Sequence, residues 1–388
     1  MLRFYSHVNT AKTILNEYKG EIPLSAFLKN FFSKEKKYGS RDRRNISSLC
    51  YNYFRIGFAM PIKDVEERLM TSVFLSSVSS DEWLQNIKPA WNEKIYLSLA
   101  DKIKIACLAA NEIFPFNAEL SDDVDISAFN ISFLIQPNVF IRIRPGKHAV
   151  VKKKLSEAEI AYQEVDHNSL AFANSTKLED VLDINKEVVV QDLNSQRVGE
   201  LLLEGEYKKP TTVWDCCAAS GGKSIMIYDL LSNTQLTVSD IRDSIIKNLQ
   251  TRFKEAGIKD FRTFVADLTD PKNLQNAIKT TKFDLVICDA PCSGSGTWAR
   301  TPEQLLFFEE EEIIRYSNLQ KSIAGNSSLY LKKGGYFLYI TCSVFKKENE
   351  EVVDFIKRQL SFNLIEMKLL KGFHEKADTM FAALFRFV

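Results

Sequence analysis

Metal ligands, disulfide pairs, membrane spans and excess charge are all scarce in this sequence. It has four histidines in 388 residues, and none of its seven cysteines forms a Cys-x-x-Cys pair, which argues against a zinc site or any other metal centre. The cysteine number is odd and five of the seven lie beyond residue 215, a pattern that suits reduced thiols in a cytoplasmic enzyme rather than a disulfide scaffold. No run approaches the roughly 18 apolar residues of a membrane span, and the opening Met1-Leu-Arg-Phe-Tyr-Ser-His7 holds no apolar signal core. Lys and Arg number 51 against 50 Asp and Glu, leaving +1, so a polyanion site has to be a local patch. Internal repeats and low-complexity linkers are absent as well. What remains is a chain 45% hydrophobic and 26% charged, long enough for two or three domains.

The first 125 residues read as a helical domain. Ile46, Leu49, Cys50, Tyr53 and Phe54 fall on one helical face, which predicts a helix over 40–58 with Ser40 as its N-cap. Lys34, Lys36, Lys37, Arg41, Arg43 and Arg44 cluster at its start. They read either as a phosphate-contacting patch or as an ordinary solvated helix start. Trp83 and Trp91, either side of Pro89, read as core. Pro115, the acidic Asp122-Asp123-Val124-Asp125 and Pro137 mark a boundary. A small α/β domain of RRM-like type is expected over 126–185. Within it, 139–144 alternates with period two and puts Arg142 and Arg144 on one face, with Lys147, His148, Lys152, Lys153 and Lys154 close behind. Such a face suits an RNA backbone; it also suits a merely polar sheet surface.

From 186 to 388 the rhythm becomes strand, loop, helix. Strands are expected at 211–215, 235–240, 261–267, 283–289, 336–341 and 380–388. Helices are expected at 223–231, 242–256, 271–279, 309–331 and 346–360, with Gly334-Gly335 ending the fourth of these. The alternation predicts an α/β fold with a doubly wound, mostly parallel, Rossmann-like sheet.

The chemistry-bearing residues fall where such strands end, which is where ligands bind in this fold. Ser220-Gly-Gly222 follows the first strand and opens a helix, a geometry that aims backbone N–H groups at a ligand. It is not a P-loop, because Cys216 stands where the first glycine would be. Asp215, Asp240, Asp267 and Asp289 are expected at the ends of successive strands. Asp240, 25 residues after Asp215, is placed to accept ribose hydroxyls. With no phosphate loop, a nucleoside pocket of this kind suits S-adenosylmethionine better than a nucleotide. Two thiols, Cys292 in Asp289-Ala-Pro-Cys-Ser-Gly-Ser-Gly296 and Cys342 in Tyr339-Ile-Thr-Cys-Ser343, sit at the same predicted edge.

These runs resemble the RsmB/NOP/Sun family of RNA cytosine-5 methyltransferases. The likeness lies in Asp215-Cys-Cys-Ala-Ala-Ser-Gly-Gly-Lys223, Asp289-Ala-Pro-Cys-Ser-Gly-Ser-Gly296, Thr341-Cys-Ser-Val-Phe-Lys-Lys-Glu-Asn-Glu350 and Gln191-Asp-Leu-Asn-Ser-Gln196, and it covers residues 135 to 388. Residues 20 to 60 resemble the NusB-like RNA-binding domain of the family's bacterial small-subunit rRNA members. Ser220 stands where the family usually has Pro, and Arg144 where many members have Asn. The resemblance implies a class I S-adenosyl-L-methionine-dependent methyltransferase domain. Cys342 would be the nucleophile toward cytosine C6, Cys292 the group that assists release, Asp289 the partner of the base near N3, and Lys223 a contact to the base edge or cofactor. Cys217, Ala218, Ala219, Ser220, Gly221, Gly222, Lys223, Asp240, Asp267 and Asp289 would hold the cofactor. The implied product is 5-methylcytosine in RNA, with 16S rRNA ahead of tRNA, made by a monomer without metal or membrane partner. A DNA cytosine-5 methyltransferase would use Pro291-Cys292 alone, and the Thr-Cys-Ser run at 342 speaks against it. A nitrogen methyltransferase would show Pro-Pro-aromatic after Asp289. A catalytically silent RNA-binding assembly factor would not need both thiols.

Overall fold

The computed structural model describes residues 2–60, 64–203, 211–231 and 234–388. The chain divides into two compact units. The first comprises residues 1–118, 124–136 and 297–309, and is helical. Its helix Ser40–Arg55 buries the predicted face, Ile46, Leu49, Cys50 and Phe54. The N-cap, however, is Gly39, and Ser40 makes no cap bond. Arg55 at the end of this helix is buried and donates to Phe133 O and Ala299 O, each at 3.0 Å, so it ties three stretches of the unit together. The expected basic cluster is partly neutralised: Lys37 pairs with Glu35, Arg41 with Glu82, and Arg43 donates to Tyr38 O. Trp83 is buried, and Trp91 stacks on Phe74.

The second unit comprises residues 119–123, 137–296 and 310–388. Its smaller sheet is antiparallel: β1 (Val139–Ile143), β2 (Gln163–Glu164), β3 (Ser169–Phe172) and β4 (Val188–Val190) lie in the order β2-β3-β1-β4. β4 carries this sheet past the expected boundary at 185. The helix Ile126–Ser132, expected within the small domain, belongs to the helical unit. The expected arginine face is also corrected. Arg142 is buried, and Arg142 and Arg144 both grip Asp229. Their charge is spent inside the unit, so this strand offers no free cationic face. Of the lysines that follow, Lys152, Lys153 and Lys154 pair with Glu164, Glu157 and Glu187.

The larger sheet runs β10-β11-β9-β8-β5-β6-β7. Its strands are β5 (Thr212–Asp215), β6 (Gln235–Asp240), β7 (Phe261–Val265), β8 (Phe283–Asp289), β9 (Leu331–Thr341), β10 (Phe362–Leu370) and β11 (Met380–Phe387). β7, β6, β5, β8 and β9 are parallel, while β11 and β10 add an antiparallel edge. Alternate side chains of the central strands enter two cores. Val213, Leu285 and Ile287 pack with Ile225, Leu249 and Phe253 on one face. Trp214, Val286 and Cys288 pack with Leu274, Ile323 and Ile356 on the other. Burial on both faces explains why 283–288 reads as a nearly continuous apolar run. β5 neighbours both β6 and β8, so the chain changes direction across the sheet there, and ligands of such sheets bind outside that point.

Several elements differ from expectation. β10 had no prediction. Gly334-Gly335 lie inside β9 rather than ending a helix. That helix, Glu311–Ser328, ends earlier, with Ser327 and Ser328 bonded back to Ile323 O and Gly325 O. β7 stops at Val265, so Asp267 falls in the following loop.

Candidate active site

The larger sheet brings Asp215, Asp240, Asp289 and Cys342 to one edge. β5, β6 and β8 end in the three aspartates, and β9 ends one residue before Cys342. Asp289 pairs in register with Ile340, which sets Ala290-Pro291-Cys292 beside Thr341-Cys342. The two thiols meet at 3.3 Å between Sγ atoms, and both are free and half-buried. The hydrogen bond between them, burial and the nearby Glu348 carboxylate push the Cys292 thiol well above its usual range. Gly296 closes the back of the loop. Its N–H donates to Cys342 O at 2.9 Å, its carbonyl accepts from Thr379 N, and a Cβ there would lie 2.0 Å from Thr379 O. Only glycine fits that gap.

Lys223 donates to Asp289 Oδ2 at 2.7 Å. Burial works against its charge, but Asp289, Cys342 and Asp215 together hold its pKa above the ordinary lysine value. The Lys223–Asp289 pair, which the sequence reading did not foresee, and the predicted thiol pair thus share one edge with the glycine loop.

That loop, residues 216–222, turns through two left-handed residues, Ala219 at φ 44° and Gly221 at φ 83°. A Cβ on Gly221 would stand 2.8 Å from Phe253 and 3.1 Å from Leu249, so the loop lies tight on the helix Asp243–Glu255. Gly222 begins the helix Gly222–Leu230. Asp240 Oδ2 accepts from Ala219 N at 3.2 Å, and Arg242 holds both carboxylate oxygens from outside. Asp267 is half-buried and serves its own turn, accepting from Thr269 N and Oγ1. Cys217 is half-buried, while Cys216 and Ala218 are buried. Asp215, fully buried, points inward. Its Oδ2 accepts from Ser224 Oγ at 2.6 Å, its Oδ1 has no partner, and burial pushes its carboxyl up to about 7.

Residue typing passed over a layer behind the thiols. Glu348, Asn349 and Gln320 are fully buried and bond to the residues on either side of each cysteine. The signal was that Glu348 and Asn349 lie inside the Thr341–Glu350 run that carries the family resemblance. Among the described residues no His/Cys/Asp/Glu group could hold a metal ion, and no helix is long and apolar enough to cross a membrane.

Residues 202–384 match the family model described as 16S rRNA methyltransferase RsmB/F. The chain is 31% identical over 194 residues to the probable ribosomal RNA small subunit methyltransferase B of Bacillus subtilis, covering 50% of this chain and 42% of that protein. It is 32% identical over 172 residues to ribosomal RNA small subunit methyltransferase B of Photorhabdus laumondii, covering 44% and 38%. The aligned stretch therefore spans less than half of either relative. In fold, the chain resembles the crystal structure of PH0851 with a TM-score of 0.71 at 20% identity, covering 99% of this chain and 98% of that one. It also resembles NSun6 from Pyrococcus horikoshii, solved with SFG, with a TM-score of 0.57 at 15% identity, covering 68% and 94%. The region that carries the two thiol runs and the glycine loop at one sheet edge, residues 202–384, is thus similar to the RsmB/F methyltransferase family.

Proposed function

We propose that this chain is an S-adenosylmethionine-dependent methyltransferase that forms 5-methylcytosine in small-subunit ribosomal RNA. The observation that carries the reading is the 3.3 Å pair of Cys292 and Cys342 beside the Lys223–Asp289 pair, on the edge that also carries the glycine loop. The names of the two curated relatives support the RNA class.

The donor set fits the cofactor. Backbone N–H groups at the start of a nine-residue helix, the acid of Asp240 and the half-buried Asp267 and Asp289 offer what a nucleoside and an amino-acid group require. When bound, S-adenosylmethionine supplies an electrophilic methyl group. The protein's task is to make cytosine C5 nucleophilic. A Cys342 thiolate adding to C6 replaces the C5=C6 double bond by an S–C6 bond and leaves C5 electron-rich. Asp289, held by Lys223, bonds the base near N3 and favours that addition. After C5 has taken the methyl group, its proton leaves to a base. The double bond then re-forms, the S–C6 bond breaks, and the Cys342 thiolate departs. Cys292 serves this release. A base in a duplex has to be unstacked to reach the thiol. We assign contacts to the surrounding RNA to the helical unit.

The two thiols give the test. Cys342→Ala is expected to abolish both methylation and any covalent protein–RNA complex. Cys292→Ala is expected to accumulate a denaturation-resistant complex on RNA containing the target. The reverse pattern would exchange the roles, and normal turnover by both variants would end the proposal. Bisulfite sequencing of total RNA from cells with and without the protein would identify the cytosine.

A further inference from the structure

We propose that Glu348 is the positioning residue of the thiol pair: its single buried carboxylate holds the loop of Cys292 and the end of the Cys342 strand at a fixed separation. The inference deepens the reading of Cys342 and Cys292 as a working pair and rests on it for its catalytic meaning.

Each cysteine is followed by a serine, and Glu348 binds both. Its Oε2 accepts from Ser293 N at 2.9 Å, and its Oε1 accepts from Ser343 Oγ at 2.7 Å. Gln320 Nε2 supplies a third donor to Oε2 at 2.8 Å and also donates to Pro291 O at 3.0 Å. The Cys292 backbone is thus gripped on both sides, at Pro291 and at Ser293. Cys342 is gripped likewise: Asn349 Oδ1 accepts from Thr341 Oγ1 at 2.6 Å, and its Nδ2 donates to Ser343 O at 3.0 Å. Asn349 reaches only the Cys342 side. Among the described residues, Glu348 is the buried carboxylate that bonds to both loops, which also meet directly through Gly296 N–Cys342 O and the Ser293, Ser295 and Ser343 hydroxyls.

The remaining contacts lock that carboxylate in place. Tyr339 donates its hydroxyl to Glu348 O at 2.7 Å. Ser293, Ser295 and Ser343 hydroxyls lie within 3.1 to 3.2 Å of one another. Val344 N and Phe345 N close on Ser295 and Ser343. A fully buried carboxylate is costly unless such donors meet it, and here the donors come from the cysteine-bearing segments themselves. Truncating Glu348 removes the carboxylate bridge, leaves Ser293 N and Ser343 Oγ without that acceptor, and leaves Gln320 Nε2 with Pro291 O alone. The carboxylate also helps keep Cys292 in its thiol form, the form a group that serves release would hold while Cys342 attacks.

The test uses the full chain without RNA or cofactor. Diamide converts two thiols to a disulfide, and the two hydrogens reduce its N=N bond to a hydrazine. Peptide mass spectrometry then follows the rate of the Cys292–Cys342 link, apart from any link among the other cysteines. Wild type should close readily, and Glu348→Ala should close about tenfold more slowly, because proximity governs such reactions. Glu348→Gln keeps the size and an acceptor, and should stay within about twofold of wild type. An Ala variant that is folded by circular dichroism and closes as fast as wild type overturns the proposal. So does a Gln variant as slow as Ala, which would assign the effect to charge. If Glu348→Ala does not fold, Ser343→Ala decides: it should slow closure about threefold, and an unchanged rate overturns the proposal. With RNA present, Glu348→Ala should lower kcat and leave KM for S-adenosylmethionine unchanged, whereas general loosening would raise KM as well. Should wild type methylate no RNA, the proposed function fails while the closure rates still judge Glu348.

Discussion

Asp229 and Asp289 each sit beside a cation in the same unit, and the difference between them separates structure from chemistry. Asp229 has a side chain 5% exposed. It accepts from Arg142 Nη1 and Arg144 Nη2, each at 2.7 Å, and from Arg144 Nε at 3.2 Å. The same arginines reach on to Gln191 Oε1 and Asn185 O. Asp289 is 27% exposed and receives only Lys223, on Oδ2; among the described residues its Oδ1 accepts nothing. A carboxylate buried under two guanidinium groups that also bond elsewhere in the unit holds the fold together. One that keeps an oxygen free at a strand end can take a ligand.

Truncating each acid exposes the contrast most strongly. Asp289→Ala is expected to lower kcat for methyl transfer by about 10³-fold, the scale of losing one buried group that stabilises developing charge. Its stability should fall by less than that of Asp229→Ala, since Asp289 is more exposed and holds one cation rather than two. Asp229→Ala should do the opposite. It strands the buried Arg142 and the partly buried Arg144 guanidinium groups and should cost about 3–5 kcal/mol in urea unfolding, with kcat per folded molecule little changed. If Asp229→Ala abolished catalysis in a protein of normal stability, the division between the two acids would be wrong.

Asp215 extends the comparison to an acid that is buried without a cation directly on it. Burial raises its carboxyl to about 7, above its unfolded value near 3.9. Folding therefore binds a proton between those two values, and this group's contribution to stability falls as pH rises from about 4 to 7, then levels off. Asp215→Asn removes that fall. The variant should gain on wild type by roughly 2–4 kcal/mol between pH 4 and pH 8. Denaturant midpoints at the two pH values measure it, and a constant difference between the proteins contradicts the assignment.

The legible parts of the molecule were those written in local pattern. The central strands alternate between two cores, so their apolar runs and terminal acids mark them directly. Glycines at 221 and 222 and the Pro-Cys and Thr-Cys pairs are local chemistry too. What stayed hidden depends on partners far along the chain. Arg142 and Arg144 alternate as exposed residues do, and only Asp229, 85 residues beyond Arg144, shows that their guanidinium groups turn into the unit. β10 has burial mixed on both faces, which leaves no clean period of two. Ser40 looks like a cap because of its type, but Gly39 holds the extended backbone from which the helix starts. Glu348 could be typed as a charged residue of a surface turn; its role lies in contacts to Ser293 and Gln320, 55 and 28 positions away.

The finest form of the contrast lies at Ser220, where a small contact bears on chemistry rather than on stability. Ser220 is exposed at the outer rim of the glycine loop. Arg252 Nη1 donates to both its carbonyl and its hydroxyl at 3.0 Å, while Arg252 Nε is anchored on Asn185 Oδ1 at 2.6 Å. The loop beneath already passes through two left-handed residues, and Arg252 holds it at Ser220. Ser220→Ala keeps the carbonyl bond and loses the hydroxyl bond, so S-adenosylmethionine affinity should fall only about twofold, or ~0.4 kcal/mol. Arg252→Met removes both bonds and leaves Asn185 without its donor, and should weaken binding about fivefold. In the double variant the serine substitution should add nothing, because its partner is already gone. Calorimetric titration of the four proteins measures each value. If the two effects were additive instead, Ser220 would act on the cofactor directly, and Arg252 would be a packing residue of the helix behind it.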